Sequence, residues 1–222
     1  PAAPLVLDSP HSGEDYPADF DHAAPRSAVR QAEDTHVARL WRGAVAHGAT
    51  LVEAHFPRAY VDANRGLEDI DPALFADGER WPGPVEVTRK TEQGIGLVWR
   101  LARGGVPMYA RALSVDEVER RIRTCWHPYH EAVARALDER HLAFGAVWHV
   151  NCHSMPAVGD ARSDDPGRER ARQCAIQQHQ STHDATGYQP AQGGAHHTRT
   201  ERIHALGAAY ALADDERYAA KA

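Results

Sequence analysis

Short apolar runs alternate with helical patterns along the first two thirds of the chain. Short, mostly apolar runs are typical of buried strands, and they predict strands at 4–8, 50–56, 59–62 and 144–150. Between the first two of these, apolar residues recur at helical spacing and predict one helix over residues 28–47, which ends at Gly48.

The middle of the chain carries turn residues and then two signals of helix starts. Residues 66–94 are rich in glycine, proline and aspartate, and they predict a long surface loop. Ser114 and Glu117 have the spacing of a capping box for a helix through Ile122, and Pro128 fits the first turn of a helix towards Arg140. Strands separated by helices predict an α/β fold with a largely parallel mixed sheet flanked by helices. Sites in such sheets form at the carboxyl ends of strands.

The composition changes after Val158, where no further valine, phenylalanine or tryptophan occurs. Such a segment buries too little apolar surface to offset its ordering entropy. We therefore expect a domain at 1–158 and an atypical, poorly ordered segment at 159–222, with a terminal helix over 205–222. Only Lys90 and Lys221 are lysines among 25 basic residues. This arginine bias is typical of GC-rich coding, and a shifted reading frame is one hypothesis for the segment.

Charge and cysteine usage narrow the class of protein. The formal net charge of −6 over 222 residues argues against nonspecific nucleic-acid binding. The chain contains no run of about 18 apolar residues, so no membrane span is predicted. The first residues lack the basic start of a signal peptide. Cys125, Cys152 and Cys174 form no paired spacing, which favours a reducing cytoplasm. The oligomeric state stays open.

Two polar motifs come directly after predicted strands. His11 and Glu14 form an HxxE pair after the first strand, and His153 follows the strand at 144–150. Two imidazoles and a carboxylate are a common catalytic zinc set that leaves one coordination position for water. HxxE spacing also arises by chance, so the alternative is that His11 and Glu14 make only local hydrogen bonds. His149, on the same strand face as His153, is expected to be a satisfied core histidine rather than a ligand.

A third motif, DANR at 62–65, lies between the other two. The planar fork of Arg65 can grip a carboxylate with two hydrogen bonds, and Asn64 can donate to the same group. The alternative is a structural ion pair between Asp62 and Arg65. The succession of HxxE, DANR and a later histidine resembles the zinc carboxypeptidase site.

Five blocks are similar, in order and spacing, to the N-formylglutamate amidohydrolase family. They are DSPHSG at 8–13, EDTHVARL at 33–40, FPRAYVDANR at 56–65, HPYH at 127–130 and NCHSMP at 151–156. The resemblance covers most of residues 4–158. It implies a zinc carboxypeptidase-like fold and hydrolysis of N-formyl-L-glutamate, a small-molecule substrate, to formate and L-glutamate in histidine breakdown. It also implies a divalent metal, zinc or else cobalt or manganese, held by His11, Glu14 and His153, and a substrate carboxylate bound by Arg58, Asn64 and Arg65.

The resemblance leaves the general base unassigned. The family places a glutamate on a late apolar strand for this role, and no such strand is predicted after residue 158. Glu201 is too close to His153 in sequence, and Asn151 stands where the family usually has an aspartate that orients the histidine ligand. Two alternatives follow: a zinc deacylase or carboxypeptidase for another N-acyl amino acid, and a protein that binds metal and amino acid without turnover.

Overall fold

The computed structural model describes residues 2–154 and the strand at 176–180, and the chain divides into two compact units. The first unit comprises Pro1–Ser9, His36–Val52 and Ala132–Ala222, and the second comprises Pro10–Thr35 and Glu53–Glu131. The helix predicted at 205–222 lies outside the described residues. Among the helices that are described, none combines the length and the apolar character needed to cross a membrane.

The first unit contains a sheet with the strand order β2-β1-β3-β4. Its strands are β1 (Leu5–Ser9), β2 (Thr50–Glu53), β3 (Trp148–Cys152) and β4 (Ile176–Gln180). β1 runs parallel to β3, with Val6 opposite His149 and Asp8 opposite Asn151, whereas β4 is antiparallel to β3. The predicted mixed α/β sheet is therefore confirmed. β4 was not predicted from the sequence, and its residues, IQQHQ, include no glutamate.

Helices pack against both faces of this sheet. Successive side chains of a strand point to opposite faces, and Val6 and Leu7 of β1 follow this rule. Leu7 clusters with Val37 and Trp41 of α2 (Val37–Trp41), whereas Val6 clusters with Ala136 of α5 (His127–Phe144). The alternation in β1 thus gives each face of the sheet its own helix.

The single helix predicted over 28–47 is wrong, because the structure breaks this segment into three pieces. They are α1 (Arg26–Arg30), α2 and the 3₁₀ helix Arg42–His47. His36 has a φ of 75°, which is incompatible with a continuous right-handed helix. Just before it, the amide of Asp34 donates to the carbonyl of His11 at 3.0 Å. A contact between distant parts of the chain therefore overrides the local helical pattern.

The second unit has a large apolar core but little regular structure. Short 3₁₀ helices occur at Ala18–Phe20, Pro72–Leu74 and Arg103–Gly105, and α3 spans Arg89–Glu92. The strand predicted at 59–62 is wrong: these residues form turns, held by single bonds such as Asp62 N to Leu97 O at 2.7 Å. The predicted surface loop at 66–94 is only partly correct, because Ile70 and Leu74 are buried in the core.

The predicted capping box opens a long run of helix. Ser114 Oγ accepts from the amide of Glu117 at 3.2 Å, and Glu117 Oε2 accepts from the amide of Ser114 at 2.9 Å. α4 (Val115–Arg121) then continues through a π-helical turn, Ile122–Trp126, into α5. The helix predicted at Pro128 is confirmed. Because α5 extends to Phe144, the strand predicted at 144–150 begins later, at Trp148.

Glu117 makes the stability of this helix start depend on pH. Arg111 donates to both its carboxylate oxygens, at 2.6 and 2.9 Å, and these bonds outweigh burial and lower the pKa of Glu117 to about 2 from its ordinary 4.5. A carboxyl whose pKa is depressed in the folded state contributes stability above its unfolded pKa. That contribution is lost as the pH falls from 4.5 towards 2.

We therefore expect Glu117→Gln, which keeps the capping box, to lower the Tm at pH 7. The difference from the unsubstituted protein should shrink as the pH falls below 4.5, because the unfolded state then takes up a proton at Glu117 that the folded state binds only near pH 2. Thermal unfolding followed by circular dichroism between pH 7 and pH 3 measures it. A Tm difference that stays constant over this range would rule out the ion pair as its source.

Candidate active site

His11 lies two residues beyond β1, and its imidazole is buried between two carboxylates. Nε2 is 2.8 Å from Asp62 Oδ1, and Nδ1 is 3.2 Å from Asp34 Oδ2. Only 2% of the His11 side chain is exposed. The backbone of Asp34 is fixed by two hydrogen bonds. Its N–H donates to the carbonyl of His11, and its carbonyl accepts from Ser12 Oγ at 3.0 Å. Residues 11 and 34 are therefore held together by both main chain and side chains.

Asp62 is buried and is surrounded by hydrogen-bond donors. Arg58 donates through Nε at 3.1 Å and Nη2 at 2.8 Å to Oδ2, and Trp99 Nε1 lies 3.4 Å from the same oxygen. The amide of Asn64 donates to Oδ1 at 2.9 Å. The aspartate of the DANR motif thus organises its own loop and, through Oδ1, reaches His11.

The charge of Asp62 determines which nitrogen of His11 carries a proton. Burial alone would raise the pKa of Asp62, but the charges of Arg58 and His11, the hydrogen bond from His11 and the charge of Arg65 hold it well below its usual range. An ionised carboxylate only accepts hydrogen bonds, so His11 Nε2 is the donor. The other nitrogen, Nδ1, lies beside the Asp34 carboxylate.

This arrangement of donors fits a divalent metal. A histidine that ligates a metal through one nitrogen usually donates the other N–H to a carboxylate, which fixes its tautomer and orientation. His11 has that carboxylate in Asp62, and the Asp34 oxygen lies beside the nitrogen that remains. Imidazole and carboxylate donors suit zinc and similar metals.

Glu14, the predicted carboxylate ligand, is engaged elsewhere in the structure. Its carboxylate pairs with Arg30, with Oε1 3.1 Å from Nη2 and Oε2 3.4 Å from Nη1, and 47% of the Glu14 side chain is exposed. The contacts therefore favour Asp34 over Glu14 as the carboxylate partner of His11. Asp34 was not singled out from the sequence, because it lies 23 residues from His11 and no local spacing joins them.

Asn64 and Arg65, the predicted carboxylate-binding pair, lie at a less buried edge of the same unit. Asn64 is exposed, and 24% of the Arg65 side chain is exposed. The alternative of an ion pair between Asp62 and Arg65 is wrong. Asp62 pairs with Arg58, whereas Arg65 Nε faces Asp69 Oδ2 at 3.7 Å.

The backbone on both sides of Asn64 is fixed by the helical run. His130 Nε2 lies 2.9 Å from the carbonyl oxygen of Ala63, and Trp126 Nε1 donates to that of Arg65 at 3.0 Å. The two rings also contact each other, with centroids 3.9 Å apart. His130 therefore makes a structural hydrogen bond to this loop. The π turn that ends at Trp126 thus helps to position the predicted substrate-binding residues.

Arg58 was predicted as a third contact for the substrate carboxylate. In the structure two of its nitrogens bind Asp62, and its guanidinium lies 5.0 Å from the centre of the Trp99 ring. These contacts assign Arg58 to the support of Asp62, and through it of His11. Contact with a substrate stays a prediction for this residue.

His153, the remaining predicted ligand, is half-buried and follows β3 in the first unit. In that unit His149 Nε2 lies 2.8 Å from Asp8 Oδ1, which confirms His149 as a satisfied core histidine. The role of His153 in metal binding stays a prediction from the sequence.

Comparison with known proteins gives a consistent result. A family model described as N-formylglutamate amidohydrolase matches residues 3–222, beyond the five blocks within 4–158. The N-formylglutamate deformylases of Pseudomonas aeruginosa and Pseudomonas putida are 29% and 26% identical, over 73% and 68% of this chain and 57% and 52% of the relatives. The crystal structure of N-formylglutamate amidohydrolase from Ralstonia eutropha JMP134 matches with 48% identity and a TM-score of 0.67, over 70% of this chain and 55% of that one. The chain thus spans about half the length of these relatives.

Proposed function

Because the chain belongs to the N-formylglutamate amidohydrolase family, we propose that it hydrolyses N-formyl-L-glutamate to formate and L-glutamate. The observation that carries this proposal is the buried imidazole of His11 between the carboxylates of Asp34 and Asp62. The same unit carries an exposed asparagine and a partly exposed arginine, which are suited to an anionic substrate. We place the reaction in the cytoplasm, as a late step of histidine breakdown.

The proposed metal ligands in the second unit are Nδ1 of His11 and the carboxylate of Asp34. When bound, a zinc ion polarises a carbonyl oxygen and lowers the pKa of a water molecule, which is the chemistry that amide hydrolysis needs. Cobalt or manganese can occupy similar donor sets. Glu14 remains the alternative carboxylate, and His153 the further ligand that the sequence predicts.

Asp62 and Arg58 act on the orientation of His11. Asp62 accepts a hydrogen bond from the Nε2–H group, which leaves Nδ1 as the nitrogen that would bind a metal. Arg58 holds the Asp62 carboxylate ionised and in place. These two residues therefore maintain one tautomer and one ring orientation of His11.

Arg65 and Asn64 are proposed to bind a carboxylate of the substrate. A guanidinium can donate two parallel hydrogen bonds to a carboxylate, and this geometry fixes both distance and direction. Holding one end of an N-formyl amino acid places its amide bond reproducibly, which is the orientation contribution to catalysis. An acyl amino acid offers both groups that this site recognises: an amide carbonyl and a carboxylate.

The proposal is tested by comparing formate or acetate release from three substrates: N-formyl-L-glutamate, N-acetyl-L-glutamate and N-formyl-L-leucine. We expect the highest kcat/KM for N-formyl-L-glutamate. Faster release from N-acetyl-L-glutamate would indicate a related deacylase for another acyl group. Faster release from N-formyl-L-leucine would contradict recognition of the glutamate side chain.

A further inference from the structure

The guanidinium of Arg65 is partly buried, and its Nε faces a second buried carboxylate. Nε is buried and makes no hydrogen bond to any described residue, but it faces Asp69 Oδ2 at 3.7 Å. Asp69 is itself buried, with 7% of its side chain exposed. Opposite charges attract more strongly away from bulk water than on the surface. Asp69 therefore places a fixed negative charge behind the guanidinium.

The carboxylate of Asp69 is anchored by two threonine hydroxyls. Thr88 Oγ1 donates to Oδ1 at 3.0 Å, and Thr91 Oγ1 donates to the same oxygen. Both hydroxyls also accept backbone N–H groups in the capping box of α3: Thr88 Oγ1 from Lys90 and Thr91, and Thr91 Oγ1 from Thr88. Both hydroxyls thus accept from the backbone and donate to Asp69. Oδ1 is thereby occupied, and Oδ2 is left for Arg65.

The main chain of Asp69 is fixed as well. Its carbonyl accepts from the amide of Leu97 at 2.6 Å, and its amide donates to the carbonyl of Gly66 at 3.2 Å. Gly96 packs against that carbonyl so closely that a Cβ at residue 96 would collide with it. Asp69 is thus held through backbone and side chain, and the guanidinium of Arg65 faces this fixed carboxylate through Nε.

We propose that Asp69, with Thr88 and Thr91, is the positioning residue of Arg65. It fixes the Nε edge of the guanidinium, so that Nη1 and Nη2 are presented to the substrate carboxylate in one orientation. This inference rests on the proposed function, in which Arg65 binds that carboxylate. Asp69 acts through Arg65 and does not itself contact the substrate.

The test is Asp69→Asn in the full chain, because the amide oxygen can still accept from both threonines while the charge is lost. We expect KM for N-formyl-L-glutamate to rise about tenfold with kcat changed less than about twofold, the pattern of lost uniform binding. The matched control is Asp71→Asn, which removes an equally buried carboxylate from Arg100, 2.6 Å away, and should leave KM unchanged. A rise of the same size in Asp71→Asn, or an unchanged KM in Asp69→Asn, would overturn the proposal.

A double-mutant cycle separates positioning from a structural role. In the Arg65→Ala background, Asp69→Asn should raise KM no further, because the group that it positions is gone. A further rise equal to that in the unsubstituted protein would show that Asp69 acts independently of Arg65. The expected non-additivity in KM is a readout that a general loss of stability would not produce.

Binding of L-glutamate, measured by titration calorimetry on the metal-loaded protein, separates this inference from the proposed function. If the protein binds L-glutamate without releasing formate, and Asp69→Asn weakens that binding about tenfold, the inference holds and the proposed activity fails. If formate is released normally and Asp69→Asn changes neither KM nor glutamate affinity, the activity stands and the inference fails.

Discussion

Replacing His11 by alanine is expected to abolish tight metal binding. The imidazole is the buried group around which Asp34 and Asp62 are arranged, and alanine offers no nitrogen in its place. The loss of affinity should exceed the roughly 10–100-fold typical of removing an outer-shell partner. Equilibrium dialysis followed by metal analysis measures it, and formate release should disappear in parallel.

Three further substitutions test which neighbours of His11 bind the metal and which only orient the imidazole. Asp34→Asn should lose metal almost as completely as His11→Ala, and Asp62→Asn should lose about 10–100-fold in affinity, because it orients the ligand without being one. Glu14→Gln, at a carboxylate that pairs with Arg30, should retain the metal. Loss of metal in Glu14→Gln with retention in Asp34→Asn would reverse the assignment and restore the HxxE set.

Replacing Arg65 by alanine is expected to give the second large effect, this time on the substrate. Charge-assisted hydrogen bonds contribute about 1.5–3 kcal/mol each, so losing a two-bond grip on a carboxylate should lower kcat/KM by about 100-fold or more. The metal content should not change, because Arg65 acts on Asp62 only through its charge. Steady-state kinetics with N-formyl-L-glutamate, together with metal analysis of the same sample, measure both.

The matched control for Arg65→Ala is Arg65→Lys. Lysine keeps the positive charge but lacks the planar fork, so it should recover only part of the lost kcat/KM. Full recovery would mean that charge alone matters. A normal KM in Arg65→Ala would show that another group binds the substrate carboxylate.

Features encoded by neighbouring residues could be predicted from the sequence. The apolar run of β1 and the spacing of Ser114 and Glu117 are local signals, and the structure has the corresponding strand and capping box. The position of His11 beyond β1 follows from the same reasoning. The structure also confirms that His149 is a core histidine with a hydrogen-bond partner.

Features that depend on contacts between distant residues could not be predicted. The helical pattern over 28–47 is broken where Asp34 bonds to His11, and nothing within that segment signals the break apart from its interrupted apolar spacing. The same contact explains why Asp34 was missed in favour of Glu14. Asp69 lies within a stretch that its composition marked as surface loop, yet it is buried among the hydroxyls of Thr88 and Thr91.

The late part of the chain shows the limit of compositional reasoning. The scarcity of bulky apolar residues after Val158 predicted no strand there, but β4 pairs with β3 over Ile176–Gln180. An antiparallel partner needs mainly backbone hydrogen bonds, which polar residues supply as well as apolar ones. The family match through residue 222 likewise extends beyond the blocks that were apparent from the sequence.

The proposed activity of this chain is metal-dependent hydrolysis of N-formyl-L-glutamate. Its test is formate release by three samples: zinc-loaded protein, protein stripped with a chelator, and stripped protein to which zinc is restored. We expect release in the first and third samples and none in the second. Folded, zinc-containing protein that binds L-glutamate but releases no formate would instead be a binding protein without turnover.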